Sequence, residues 1–136
     1  MTATARMTIP ARFILTTGHL IALVMVLYTK GDNIHAGNAA DEKKASREVD
    51  NALITGLVCF LVEYVGMLSG ATLFFTQLNF FHALVHLAGG CAIATFIEAS
   101  WDYRLLWNIV GVTCVTPAAL ELAALVAIFV LKVTVY

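Results

Sequence analysis

The stretch Ala52–Phe75 (ALITGLVCFLVEYVGMLSGATLFF) constrains this chain more than any other, because about 24 consecutive residues carry a single charge. As a helix it would measure about 36 Å, enough to cross a bilayer. The charge is Glu63, near the middle of the stretch. Steps of three and four from Gly56 gather Gly56, Cys59, Glu63, Gly66 and Gly70 on one stripe, while Leu, Val, Phe and Met take the other faces. In lipid, small residues mark where another helix approaches closely, and Gly66-x-x-x-Gly70 has the spacing of such a contact. A carboxylate at that depth must face protein or water. The helix therefore has an inner face, turned to other helices of the same membrane protein.

Three further apolar blocks supply those helices. With the second they place spans at about 11–29, 52–75, 80–97 and 105–131, and a hydrophilic loop at 30–51. The expected fold is an all-α membrane protein: one domain over 1–136, four transmembrane helices in a compact bundle, short loops, and both termini on one side. The first block is read as an uncleaved span rather than a signal peptide, because His19 lies within it and no clean cleavage site follows before Asp41. The mixed charges from Asp41 to Asp50 read as a solvent-facing loop, although they also suit a solvated extension of the second helix. A tight turn at Thr76–Asn79 sits among Phe74, Phe75, Phe80 and Phe81. Trp101, Tyr103 and Trp107 suit a second membrane interface. Gly89 and Gly90 open a small-residue patch on the third span. Pro117 should kink the fourth by removing a backbone bond to Thr113, a fault that the hydroxyls of Thr113 and Thr116 can soften.

Composition excludes several function classes. Hydrophobic residues make up 60% of the chain and charged ones 12%, and the net charge is −1, which gives no basic footprint for nucleic acid. The three cysteines all fall inside apolar spans, which argues against a disulfide framework or a cysteine zinc site. No nucleophile–base pair, phosphate-binding glycine loop or zinc-hydrolase motif occurs, so no catalytic residue is assigned and an enzyme is the minority class.

The polar residues inside the spans carry what remains. His19, Glu63, His86 and Glu121 place one ionisable group in each helix near mid-depth, with His82 nearer one end. Interhelical Glu–His hydrogen bonds holding the bundle in register are the favoured role, each worth roughly 0.6–2 kcal/mol. The same residues suit a proton or ion pathway, which makes a small proton- or ion-coupled transporter using Glu63, Glu121, His19 and His86 the alternative function. A membrane metalloenzyme ranks third. A carboxylate-bridged di-metal centre wants Glu-x-x-His on two helices, and no such pair occurs; His82-x-x-x-His86 alone is a weak signal. Neither metal nor other cofactor is assigned. A raw count of basic residues favours the loop side, with Lys30, Lys43, Lys44, Arg47 and Arg104 against Arg6, Arg12 and Lys132; cytosolic termini are nevertheless expected because Arg6 and Arg12 precede the first helix with no acid between them.

An ordered set of residues also carries a resemblance. Arg12-Phe13 and His19 mark the first span, with Asn33-Ile34 just beyond it. Glu63 and Leu68-Ser69-Gly70 mark the second, and His86, Trp101, Pro117-Ala118 and Glu121 follow. On these the sequence resembles the transmembrane protein 107 family, small four-span proteins of the ciliary transition zone, over nearly its whole length. The charge run Asp41–Asp50 departs from that pattern. The resemblance implies a multi-pass protein of the ciliary membrane with cytosolic termini. It implies a non-enzymatic scaffold that helps assemble or retain proteins of the Meckel-syndrome module, partners of tectonic and B9-domain type, and so controls ciliary membrane composition and ciliogenesis.

Overall fold

The computed structural model describes residues 3–73 and 75–132, with side chains from Met7 onward. Helix α1 covers Ala3–Ala36, α2 Glu42–Leu68 and α3 Thr76–Glu98. The last span is α4 (Leu105–Val110), a π-helical turn (Gly111–Val115) and α5 (Thr116–Phe129) in succession. Four of these segments are long and apolar enough to cross a membrane: Met7–Ala36, Glu42–Leu68, Thr76–Glu98 and Leu105–Phe129. They run alternately up and down, so the starts of α1 and α3 and the ends of α2 and α5 share one end of the bundle. Most outward side chains are large and apolar, as lipid requires, while α1 packs most extensively on α3.

The inner faces follow an alternation of three and four. Along α1 the buried Arg12, Thr16, His19, Leu23 and Val26 follow it, with Asn33 and Ile34 buried further on; along α3 the buried Asn79, His82, His86, Gly89, Ile93 and Phe96 follow it, with Ala83 beside them. A repeat averaging 3.5 residues keeps one seam facing its neighbours, the packing of left-handed bundles with crossings near +20°.

Helix boundaries differ from the hydropathy reading in a way that moves the chemistry. The second helix begins at Glu42 and ends at Leu68, so most of the 30–51 stretch is helical. Asp41 starts it by accepting a hydrogen bond from the Lys44 amide at 3.0 Å. Val49 then packs in the core, and Asp50 pairs with Lys30 across the helices. The charges of this run thus sit on the outside of a helix whose inner face is apolar. At the other end, Ser69 Oγ donates to the Gly66 carbonyl at 2.7 Å and Gly70 adopts φ +75°. Gly70 is therefore a turn residue with nothing within 4 Å of a would-be Cβ, not the helix-packing residue its spacing suggested. Glu63 accordingly stands five residues from the end of α2, about 7.5 Å along the axis, rather than at mid-helix.

The opposite end is tied by Asn33, whose amide donates to the carbonyls of Phe96 (2.9 Å) and Trp101 (2.8 Å). There α3 closes as a Schellman motif: the Trp101 amide reaches the Phe96 carbonyl, and Ser100, at φ +46°, reaches that of Ile97. Tyr103, expected at the membrane interface, is instead 7% exposed and lies against Gly37, while Trp101 and Trp107 are exposed as expected. Phe74 and the tail 133–136 lie outside the described residues, as does the side chain of Arg6. The distortion expected at Pro117 takes the form of the π turn just before it. The threonine hydroxyls nearby bond to Ile109 and Gly111, not to the carbonyl that Pro117 leaves free. The extra residue of that turn rotates the register, so that Glu121 points inward and its neighbour Leu120 is 41% exposed.

Candidate functional site

The inner seams bring the ionisable residues of all four spans into one continuous chain of contacts. It starts at the end that holds the 69–75 turn. Arg12 is wholly buried there, donating to Glu121 Oε2 at 2.9 Å and to Asn79 Oδ1 at 2.8 Å, with Thr72 Oγ1 at 3.4 Å. Thr72 in turn donates to Glu121 Oε1 at 2.6 Å. Asn79 is itself fixed by donating to the Leu73 carbonyl. A guanidinium and a carboxylate taken together into a dry interior survive only if well paired and hydrogen-bonded; here both terminal nitrogens of Arg12 and both oxygens of Glu121 have partners, while Arg12 Nε has none among the described residues.

His82 links that pair to the second carboxylate. Its Nε2 faces Glu121 Oε2 at 3.7 Å, and its Nδ1 lies 3.1 Å from Glu63 Oε2. One turn further along α3, His86 places Nε2 2.6 Å from the same Glu63 oxygen. Its other nitrogen, Nδ1, lies 3.1 Å from Nδ1 of His19. Phe60 closes the far side, edge-on to His19 with ring centroids 5.1 Å apart and tilted against His86 at 5.5 Å. His19, Glu63, His82, His86 and Glu121 are all 0–1% exposed.

Glycines make the room. A Cβ on Gly89 would run into the His19 ring, and one on Gly66 into the Glu121 carboxylate. Gly56 is similarly closed by Leu23, and Gly90 lies beside the His19 backbone. The small residues of α2 and α3 are thus used inside the bundle, to let long polar side chains from neighbouring helices cross the seam. Their pairing with specific polar partners is a tertiary fact, since small-xxx-small spacing alone signals only close backbones.

All four residues singled out from the sequence, His19, Glu63, His86 and Glu121, belong to this network. Sequence reasoning missed Arg12, which it took for a juxtamembrane charge, and it set His82 aside as peripheral. Arg12 is no free flanking charge, so it drops out of the positive-inside tally. A signal for it existed: Arg12, Thr16 and His19 share the 4–3 stripe of α1, as Asn79, His82 and His86 share the 3–4 stripe of α3. Thr72 lies in the 69–75 connector and Asn79 in the first turn of α3, where a tight turn at Thr76–Asn79 was expected, so the two carry no such signal together.

Comparison with known proteins matches this architecture to one family. The family model TMEM107, described as a transmembrane protein, matches residues 8–125. The chain is 28% identical over 126 residues to transmembrane protein 107 of Xenopus laevis, covering 89% of this chain and 90% of that protein. It is 27% identical over 129 residues to the Homo sapiens protein of that name, covering 91% and 92%, and 25% identical over 124 residues to that of Danio rerio, covering 88% and 92%. No solved structure matches.

Proposed function

Because this chain belongs to the transmembrane protein 107 family, we propose that it is a non-enzymatic scaffold of the membrane at the ciliary transition zone. In this reading it helps assemble or retain other transition-zone proteins, of tectonic and B9-domain type, with its termini in the cytosol, and so controls what the ciliary membrane contains. The observation that carries the proposal is the family match over residues 8–125. The architecture supports it from another side. Between the helices lie the short connectors 37–41, 69–75 and 99–104, so the lateral faces, these connectors and the tails are the surfaces on which partners would be met. The buried ionisable side chains, Arg12, His19, Glu63, His82, His86 and Glu121, face one another.

The transporter reading is not favoured. Its four residues are each at most 1% exposed, and Glu121 is held by Arg12 and Thr72 together. An ion pathway needs groups that open to water on at least one side.

Imaging a tagged copy in ciliated cells tests the scaffold proposal. The expected signal is a narrow band between basal body and axoneme, and loss of the protein should let membrane proteins leak into or out of the cilium. Uniform signal over the plasma membrane or endoplasmic reticulum would overturn it.

A further inference from the structure

We propose that Glu63, His82 and His86 form an interhelical site for one divalent first-row metal ion, zinc by preference, that clamps α2 to α3. One ligating atom from each lies within 4.8 Å of the other two, and all three residues are buried. The proposal stands apart from the scaffold reading, because the site would exist wherever in the cell the protein resides.

The argument rests on which nitrogen has which neighbour. His82 directs Nδ1 and His86 directs Nε2 toward the same oxygen of Glu63, at 3.1 and 2.6 Å. With hydrogen bonds alone, each imidazole spends its proton on Glu63. His82 Nε2 is then left as a lone pair aimed at Glu121 Oε2, 3.7 Å away, an acceptor facing an acceptor. That atom, like Glu63 Oε1, has no hydrogen-bond partner among the described residues although both are buried. Buried polar atoms without partners are rare and call for an explanation.

A metal ion between the rings and Glu63 removes the conflict. The two inner nitrogens become ligands, and the remaining proton of each ring moves to its outer nitrogen. His82 Nε2–H then points at the Glu121 carboxylate, and His86 Nδ1–H at Nδ1 of His19. A ligating histidine that donates its other N–H to a carboxylate or another acceptor is the usual outer arrangement of such sites. Glu121 is itself held by Arg12 and Thr72, which fixes the acceptor. Glu63 Oε1 supplies the fourth donor, so that two nitrogens and two oxygens make a four-coordinate set without cysteine. An imidazole nitrogen and a carboxylate oxygen each about 2.0–2.1 Å from zinc stand about 3.3 Å apart, so each ring needs to withdraw from Glu63 Oε2 by less than about 1 Å.

Charge points the same way. Arg12 and Glu121 neutralise each other, which leaves Glu63 as a buried carboxylate bonded only to imidazoles. A cation at its oxygens answers the cost of burying that charge.

The test is elemental analysis of the full chain purified in detergent. Expected is about one zinc per chain that survives dialysis, retained when Cys59, Cys91 and Cys114 are all changed to Ala. Glu63→Gln should lower bound zinc at least tenfold, because a neutral amide is the poorer ligand. Cobalt loaded into the unaltered protein keeps the test sharp should that variant fail to fold. It should give the visible absorption of a four-coordinate nitrogen–oxygen site without sulfur charge transfer. Folded protein that takes up neither zinc nor cobalt would overturn the proposal, leaving a proton as the cation of the cluster. So would zinc that survives Glu63→Gln undiminished, or a cobalt spectrum showing thiolate ligation.

Discussion

At the scale of single residues, Arg12 decides most about the bundle. Its guanidinium joins α1 to the 72–79 segment and to α5, all in a fully buried setting. Removing one member of such a pair leaves an uncompensated charge, whereas removing both is often neutral. Arg12→Leu should therefore cost about 3–5 kcal/mol, and the double change Arg12→Leu with Glu121→Leu should recover a large part of it. Thermal unfolding of the three proteins in detergent checks the order; a double variant less stable than Arg12→Leu alone would contradict it. Arg12→Lys is not a conservative test, since an ammonium lacks the planar fork that serves Glu121 and Asn79 at once.

At the scale of elements, the ends of the helices matter more than their apolar middles. Propensity and hydropathy place four spans, but the caps and turns set which residue faces inward. Ser100 illustrates the point, because it closes α3 in a left-handed conformation that a residue with a Cβ adopts at a cost. Ser100→Gly should raise stability by up to about 1 kcal/mol, part of the gain being offset by the freer unfolded chain. Ser100→Val should lower it. Equal melting temperatures for Gly and Val at this position would show that the motif contributes little. The π turn at Gly111–Val115 is the second such device: one added residue turns Glu121 toward Arg12 instead of toward lipid.

At the scale of the whole molecule, the polarity of the bundle is uneven. Arg12, Glu121, Thr72, Asn79, His82 and Glu63 crowd the end at which α1 begins, α5 ends and the 69–75 connector lies. The other end is closed by the apolar cluster of Leu23, Leu53, Ile93, Phe96 and Leu106 and by Asn33. The up-and-down course predicts that both connectors of this second end, 37–41 and 99–104, lie on one side of the membrane; the packing of Tyr103 and Asp102 against Gly37 agrees. Cysteines introduced at Ser46 and Ser100, in a chain freed of its own three, should react with an impermeant thiol reagent from the same face. Labelling of one from each face would break the four-span topology.

By itself the sequence determined the four spans, the all-α class and the membership of His19, Glu63, His86 and Glu121 in a shared interior. Long apolar runs and the exclusion of bare charges from lipid suffice for that, being constraints on each helix alone. Helix ends escaped it. A charged run such as Asp41–Asp50 reads as loop until Val49 and Ala45 are seen to pack, and a glycine such as Gly70 reads as a helix contact until its φ is known. Only the tertiary structure decided that Arg12 is a core residue and that His82 stands between two carboxylates. Hydropathy scores a residue by its own transfer cost, whereas a buried arginine is tolerated because of partners 60 to 109 positions away in the chain. Which oxygen meets which nitrogen depends on helix register at the scale of 1 Å, and no one-dimensional pattern carries that information.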